Sequence, residues 1–177
     1  STLIGHTPGR KVYLILLIFP GSLYQGFKFC TQPSWSGDNY GAGLSTAGGN
    51  IIISEPEGYY KVDVDLANST MSLTAITRIG VIGDATVGGW GSDQAMTYNK
   101  TDRAWEINNI VLSNGSIKFR ANNGWDINWG GTVNKLTTDN GANIAVTAGT
   151  YNIKFYAWAD GKGKCEITPV APAKRRK

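Results

Sequence analysis

Hydrophobic and polar residues alternate with a period of two along much of the chain. Tyr60, Val62, Val64 and Leu66 fall on one side and Lys61, Asp63 and Asp65 on the other, and Tyr151, Ile153 and Phe155 alternate in the same way with Asn152, Lys154 and Tyr156. That is the pattern of half-buried strands. Along Ile117, Lys118, Phe119 and Arg120 the same alternation turns Ile117 and Phe119 inward, so Arg120 is expected to project from the face opposite the core. Between such runs stand Asn114-Gly115, Asn123-Gly124, Asn140-Gly141 and Asp160-Gly161, which supply the positive φ of tight hairpins. No segment keeps a helical period for three turns. The apolar run Val12 to Phe19 is too short to span a bilayer and reads as a strand. The expected fold class is all-β and antiparallel.

The pattern repeats. GFKFCTQPSWSGDNYG from Gly26 aligns with SIKFRANNGWDINWGG from Ser116, so that Phe29 matches Phe119, Trp35 matches Trp125 and Tyr40 matches Trp129. Downstream, GGNI at Gly48 pairs with GANI at Gly141, GYYKVDVDL from Gly58 with GTYNIKFYA from Gly149, and MSLTAI from Met71 with CEITPV from Cys165. A repeat of this kind implies one structural unit used twice. Upstream the copies differ: the second has the leader RIGVIGDATVGGWGSDQAMTYNKTDRAWEI from Arg78, the first only STLIGHTPGRKVYLI. The expected organisation is therefore residues 1–77 as an incomplete sandwich repeat, 78–169 as a complete one and 170–177 as a basic tail. The second unit has the size of an immunoglobulin-like sandwich, which makes the architecture two tandem immunoglobulin-like antiparallel β-sandwich domains, the first truncated or divergent.

Composition sharpens this in three places. The chain of 177 residues is rich in Gly (23), Trp (six) and Tyr (eight) and only 17% charged, as suits strands joined by many turns. The formal charge of +4 equals the charge of Lys174, Arg175, Arg176 and Lys177. The folded part is thus near neutral, the terminal run reads as a solvated tail, and no nucleic-acid partner is expected. Cys30 falls opposite Arg120 and Cys165 opposite Met71, non-equivalent positions in different copies, so both thiols are expected to be free.

Catalytic chemistry is thinly represented. His6 is the sole histidine and has no Cys, Asp or Glu at metal-ligand spacing. Asp84, Asp93, Asp126 and Asp160 are scattered over predicted turns, where Asp bends or caps the chain, and no two pair as acid and base. Gly80 to Gly91 lacks the Lys-Ser/Thr ending of a phosphate loop and reads as an ordinary loop. N-x-S/T matches at Asn68, Asn99 and Asn114 point only to exposed loops. No catalytic residue, metal site or cofactor is expected.

The distinctive feature is a set of large aromatics at predicted turns. Trp90 ends a Gly-Gly-Trp loop, Trp125 follows Asn123-Gly124, and Trp129 lies in a stretch rich in Asn and Gly. An exposed ring offers a flat apolar face to the C–H side of a pyranose, about 1 kcal/mol per stack by analogy with aromatic pairing. Arg120, Asn128 and Lys135 lie in or near the same stretch as hydrogen-bonding groups for sugar hydroxyls. Trp90 and Trp129 are expected to be exposed and Trp105 to be core. Trp125 is open to either role because Trp35 recurs at its position, and for Trp158 a place at the rim and one in the packing stand equally open.

IGVIGDATVGGWG, KFRANNGWDINWGG and GANIAVTAGTYNIKF together resemble the repeat of SusE/SusF-type outer-membrane starch-binding lipoproteins, and the first copy matches from about Val12 to Thr77. The resemblance implies surface-exposed immunoglobulin-like modules that hold α-glucan beside a glycan import complex without cleaving it. In such modules a pair of aromatics forms an arc against the glucan while basic and amide side chains bond its hydroxyls. It implies Trp90 and Trp129 as the arc, Trp125 as substitute, and Arg120, Asn128 and Lys135 as polar contacts. It also implies the cell outer membrane as location, with membrane attachment only through a lipid anchor outside this sequence. The first copy has no counterpart of Trp90. The alternative expectation is a structural spacer or protein-interaction pair of sandwich domains, in which the aromatics only pack.

Overall fold

The computed structural model describes residues 11–18, 26–30, 35–56, 58–138, 140–158 and 162–171. His6, the Asp160-Gly161 turn and the basic residues 174–177 lie outside them. The chain divides into two compact units, Ser1–Ile76 and Thr77–Lys177. Both are antiparallel β structure, consistent with β-sandwich packing. No helix among the described residues is long and apolar enough to cross a membrane.

In the first unit the strands are β1 (Lys11–Ile18), β2 (Gly26–Phe27), β3 (Phe29–Cys30), β4 (Asn39–Tyr40), β5 (Ile51–Ile52), β6 (Gly58–Asp65) and β7 (Thr70–Ala75). They form a three-stranded sheet β1-β6-β7 and the pairs β2-β5 and β3-β4. The apolar run expected to be a strand is β1, paired along its full length with β6 from Lys11↔Asp65 to Ile18↔Gly58. Alternation in β6 buries Tyr60, Val62 and Val64 and leaves Lys61 and Asp63 half-covered, joined to each other at 2.7 Å.

The second unit contains β8 (Ile79–Ile82), β9 (Gln94–Ala95), β10 (Thr97–Asn99), β11 (Ala104–Leu112), β12 (Gly115–Ala121), β13 (Asn128–Thr132), β14 (Lys135–Thr137), β15 (Ile144–Val146), β16 (Gly149–Tyr156) and β17 (Lys164–Pro169). One sheet has the order β10-β11-β16-β17 and the other β14-β13-β12-β8-β9, with β15 also paired to β12. Their inner faces meet at aromatic rings: Phe119 of β12 stacks on Phe155 of β16 at 4.4 Å, and Trp129 of β13 packs edge-on against Phe155 at 5.0 Å. Trp105 is core as expected, buried and 5.4 Å from the Tyr98 ring. Each large side chain so buried contributes on the order of 1.5–3 kcal/mol of transfer free energy.

Equivalent residues of the two units pair equivalently. Phe29↔Tyr40 and Cys30↔Asn39 in the first unit correspond to Phe119↔Trp129 and Arg120↔Asn128 in the second. Val64↔Met71 likewise corresponds to Phe155↔Cys165. Both cysteines are free and buried.

Two local expectations are corrected. Residues 80–82 are not loop but the body of β8, because Ile79, Val81 and Ile82 are all buried and Gly80 pairs with Arg120 and Ala95. Asn114-Gly115 is not a hairpin: it carries the chain from β11 in one sheet to β12 in the other, with the Asn114 amide oxygen accepting from the Ala148 N–H at 2.8 Å. Asn123-Gly124 does lie in a hairpin, β12 to β13, where Asn122 and Asn123 both take positive φ.

Candidate functional site

Two loops at the β12-β13-β8 end of the second unit carry the candidate site. The first, residues 83–93, is closed on itself: the Gly83 N–H donates to the Gly89 carbonyl (3.1 Å), the Thr86 N–H to the Gly83 carbonyl (2.9 Å) and the Ser92 N–H to the Gly88 carbonyl (3.2 Å). Gly89 has φ +56, a left-handed conformation that a glycine adopts without strain, and Trp90 follows it. The second loop, residues 122–127, is fastened by the Ala121 N–H to the Ile127 carbonyl and by the Asn128 Nδ2 to the Trp125 carbonyl at 2.7 Å. The Trp90 and Trp125 rings come together, 6.1 Å apart and inclined by 41°, with 37% and 46% of each residue exposed.

Trp129 is not part of this surface. It was expected to be exposed, and it is 1% exposed, across from Phe119 on the core face of the sheet. The cause is register: Asn128 pairs with Arg120 on the outer face, so Trp129, one residue on, must turn inward. The partner of Trp90 is therefore Trp125, the substitute.

Arg120 points away from Phe119 as alternation requires, yet it is buried rather than free. Its Nε and Nη2 face Asp93 Oδ2 and Oδ1 at 3.3 and 3.4 Å, and its guanidinium carbon lies 5.0 Å from the Trp125 ring centre. Asp93, at the end of the 83–93 loop, and the Trp125 ring are what the arginine meets on this face. Arg120 thus supports the Trp125 ring from beneath as a cation–π partner and is not placed as an open hydrogen-bond donor. Asn128 is likewise committed to the Trp125 carbonyl. Lys135 is exposed but stands apart: it pairs with Thr132, four residues along β13 from Asn128, or about 13 Å by strand rise.

Asp93 and Arg78 belong to the site, although the sequence pattern marks neither of them. Arg78 Nη2 donates to the Asp93 carbonyl at 3.3 Å and lies 3.8 Å from Asp93 Oδ1, with its side chain partly open to solvent. Gly80 was the available signal. A Cβ there would come 2.7 Å from Asp93 Oδ2, and a glycine inside an apolar strand marks such a close approach.

The first unit repeats half of this arrangement. Asn39 Nδ2 donates to the Trp35 carbonyl at 3.0 Å, as Asn128 does to Trp125, and Trp35 is 65% exposed. Its turn is one residue longer, since Asn39 follows Trp35 by four positions and Asn128 follows Trp125 by three. The position of Arg120 is taken by Cys30.

Among the described residues no three His, Cys, Asp or Glu side chains are grouped to hold a metal ion. Asp84 serves the chain turn, its Oδ1 accepting from the Ser116 N–H at 2.7 Å. No protein-family model matches the chain, and no curated protein matches it.

Proposed function

We propose that the second unit is a non-catalytic carbohydrate-binding module whose contact surface is the Trp90–Trp125 ring pair. The observation that carries the reading is the pair itself: two indoles on separately fastened loops, both open to solvent, one backed by a buried guanidinium. Rings left wet on closed loops contribute little to folding, and they present the apolar faces on which pyranose C–H groups stack. Their 41° inclination suits the curved succession of sugar faces in an α-linked glucan better than the flat faces of a β-linked ribbon. Polar contacts then come from the open part of the Arg78 guanidinium and from loop amides.

The wider reading is two tandem immunoglobulin-like modules of a surface protein of the outer membrane that captures starch-like α-glucan in support of import. It rests on the resemblance of the leader, loop and strand motifs. The spacer alternative requires Trp90 and Trp129 both to be packing residues; the burial of Trp129 favours it and the exposure of Trp90 does not.

Native affinity electrophoresis decides between them. Retardation of the protein in amylopectin gels is expected, with free mobility restored by Trp90→Ala or Trp125→Ala. Unretarded wild-type protein across α- and β-glucan gels overturns the carbohydrate reading.

A further inference from the structure

The other sheet of the second unit carries a different aromatic cluster. On β16 Ile153 and Phe155 face the core, so Tyr156 lies across from Lys164 of β17 on the outer face. The Lys164 ammonium sits 4.4 Å from the Tyr156 ring centre and 5.4 Å from that of Trp158. The two rings are 5.2 Å apart at 51°, and Trp158 is 47% exposed. Lys164 also meets Glu166 at 3.0 Å, an exposed pair worth little to stability.

A second lysine is brought alongside by the backbone. Leu136 of β14 bridges Gly163, its N–H donating to the Gly163 carbonyl at 2.6 Å. The antiparallel step sets Lys135 next to Lys164. Leu136 is fully buried, so Lys135 faces outward, and it is exposed. Lys164 therefore lies over two inclined rings, one of them half open, and Lys135 stands next to it on the adjoining strand.

We infer that Tyr156, Trp158, Lys164 and Lys135 form a second saccharide platform, one that takes an acidic sugar residue. A uronate or sulfated pyranose has a flat C–H face for Trp158 and an anionic group at its rim for the two ammonium groups, a combination that matches both halves of the cluster. An acidic peptide supplies the charge but no flat face. The platform shares no residue with the Trp90–Trp125 pair and stands or falls independently of it.

The test is affinity electrophoresis of the full chain in polygalacturonate, dextran sulfate and amylopectin gels at low and high salt. Far-UV circular dichroism and urea midpoints establish that each variant is folded. Wild-type protein is expected to be retarded by one or both anionic polymers, less so at high salt. Trp158→Ala should weaken this about five-fold or more, Trp158→Phe should restore most of it, and Lys135→Ala/Lys164→Ala should flatten the salt dependence. Trp90→Ala and Trp125→Ala should leave it unchanged while abolishing amylopectin retardation. Absence of retardation by both anionic polymers overturns the inference. So does retardation that Trp158→Ala leaves undiminished, which would place the binding on the basic residues 174–177. Loss of amylopectin binding alone, in wild type, overturns only the first reading.

Discussion

The Arg120 guanidinium carbon lies 5.0 Å from the centre of the Trp125 ring, in a buried position where Asp93 supplies its counter-charge. One arginine thereby joins the stability of the 83–93 loop to the orientation of an exposed indole. Asp93→Ala leaves the guanidinium buried without its carboxylate partner, and removing one partner of a buried pair costs about 3–5 kcal/mol. Arg120→Met should cost less, since Asp93 keeps Arg78 at 3.8 Å. In urea denaturation the double variant should therefore be less destabilised than the sum of the singles. An additive result would show that the pair is not coupled.

Asn128 and Asn39 perform the same task in the two units, each donating its side-chain amide to the carbonyl of an exposed tryptophan. Asn128→Ala should cost about 1 kcal/mol in stability and release the Trp125 loop. Glycan affinity should then fall about two- to five-fold without any contact residue having changed. Binding isotherms for Asn128→Ala beside Trp125→Ala measure this, and equal affinity of Asn128→Ala and wild type would refute it.

Trp129 and Trp90 are separated by burial, 1% against 37% exposed, and their substitutions should separate two readouts. Trp129→Ala opens a cavity beside Phe119 and Phe155 and should cost about 3–5 kcal/mol. Trp90→Ala should stay within about 0.5 kcal/mol of wild type in stability and act on binding alone. Urea midpoints together with gel mobility distinguish the two.

These residues also mark where the sequence was legible. Alternation at Tyr60, Val62 and Val64 and at Ile153 and Phe155 placed β6 and β16 correctly, because each strand has one covered face. Trp129 is core where its glycine-rich surroundings predict exposure: Gly130 and Gly131 follow it and carry no hydrophobic signal, so the inward register of β13 has no local trace. The trace was in the repeat: Tyr40 holds the same place opposite Phe29 that Trp129 holds opposite Phe119, although Tyr40 itself is only half-buried. For Arg120 the alternation gives the right face but not the buried environment. Alternation reports which side of a sheet a residue leaves, and it is silent on a carboxylate that meets that side from 27 positions upstream.

Cys165 gives a prediction in pH. Burial, reinforced by the charge of Glu166, raises its thiol from the ordinary 9.0 to about 12. The folded protein thus holds this proton more tightly than the unfolded chain. The stabilisation it confers is complete below the unfolded value and is lost as pH rises from there toward about 12. Urea midpoints should be level from about pH 7 to 8 and fall above about pH 9, the range in which an unfolded thiol ionises. Cys165→Ala, although less stable throughout from the lost volume, should decline less steeply across that range. Native protein at about pH 8 should also leave Cys165 unmodified by iodoacetamide while unfolded protein is alkylated there, as peptide mapping by mass spectrometry reads directly. A parallel alkaline decline in Cys165→Ala and wild type would assign the effect to other groups, with Tyr98, whose hydroxyl burial also holds above its ordinary value, the first to examine.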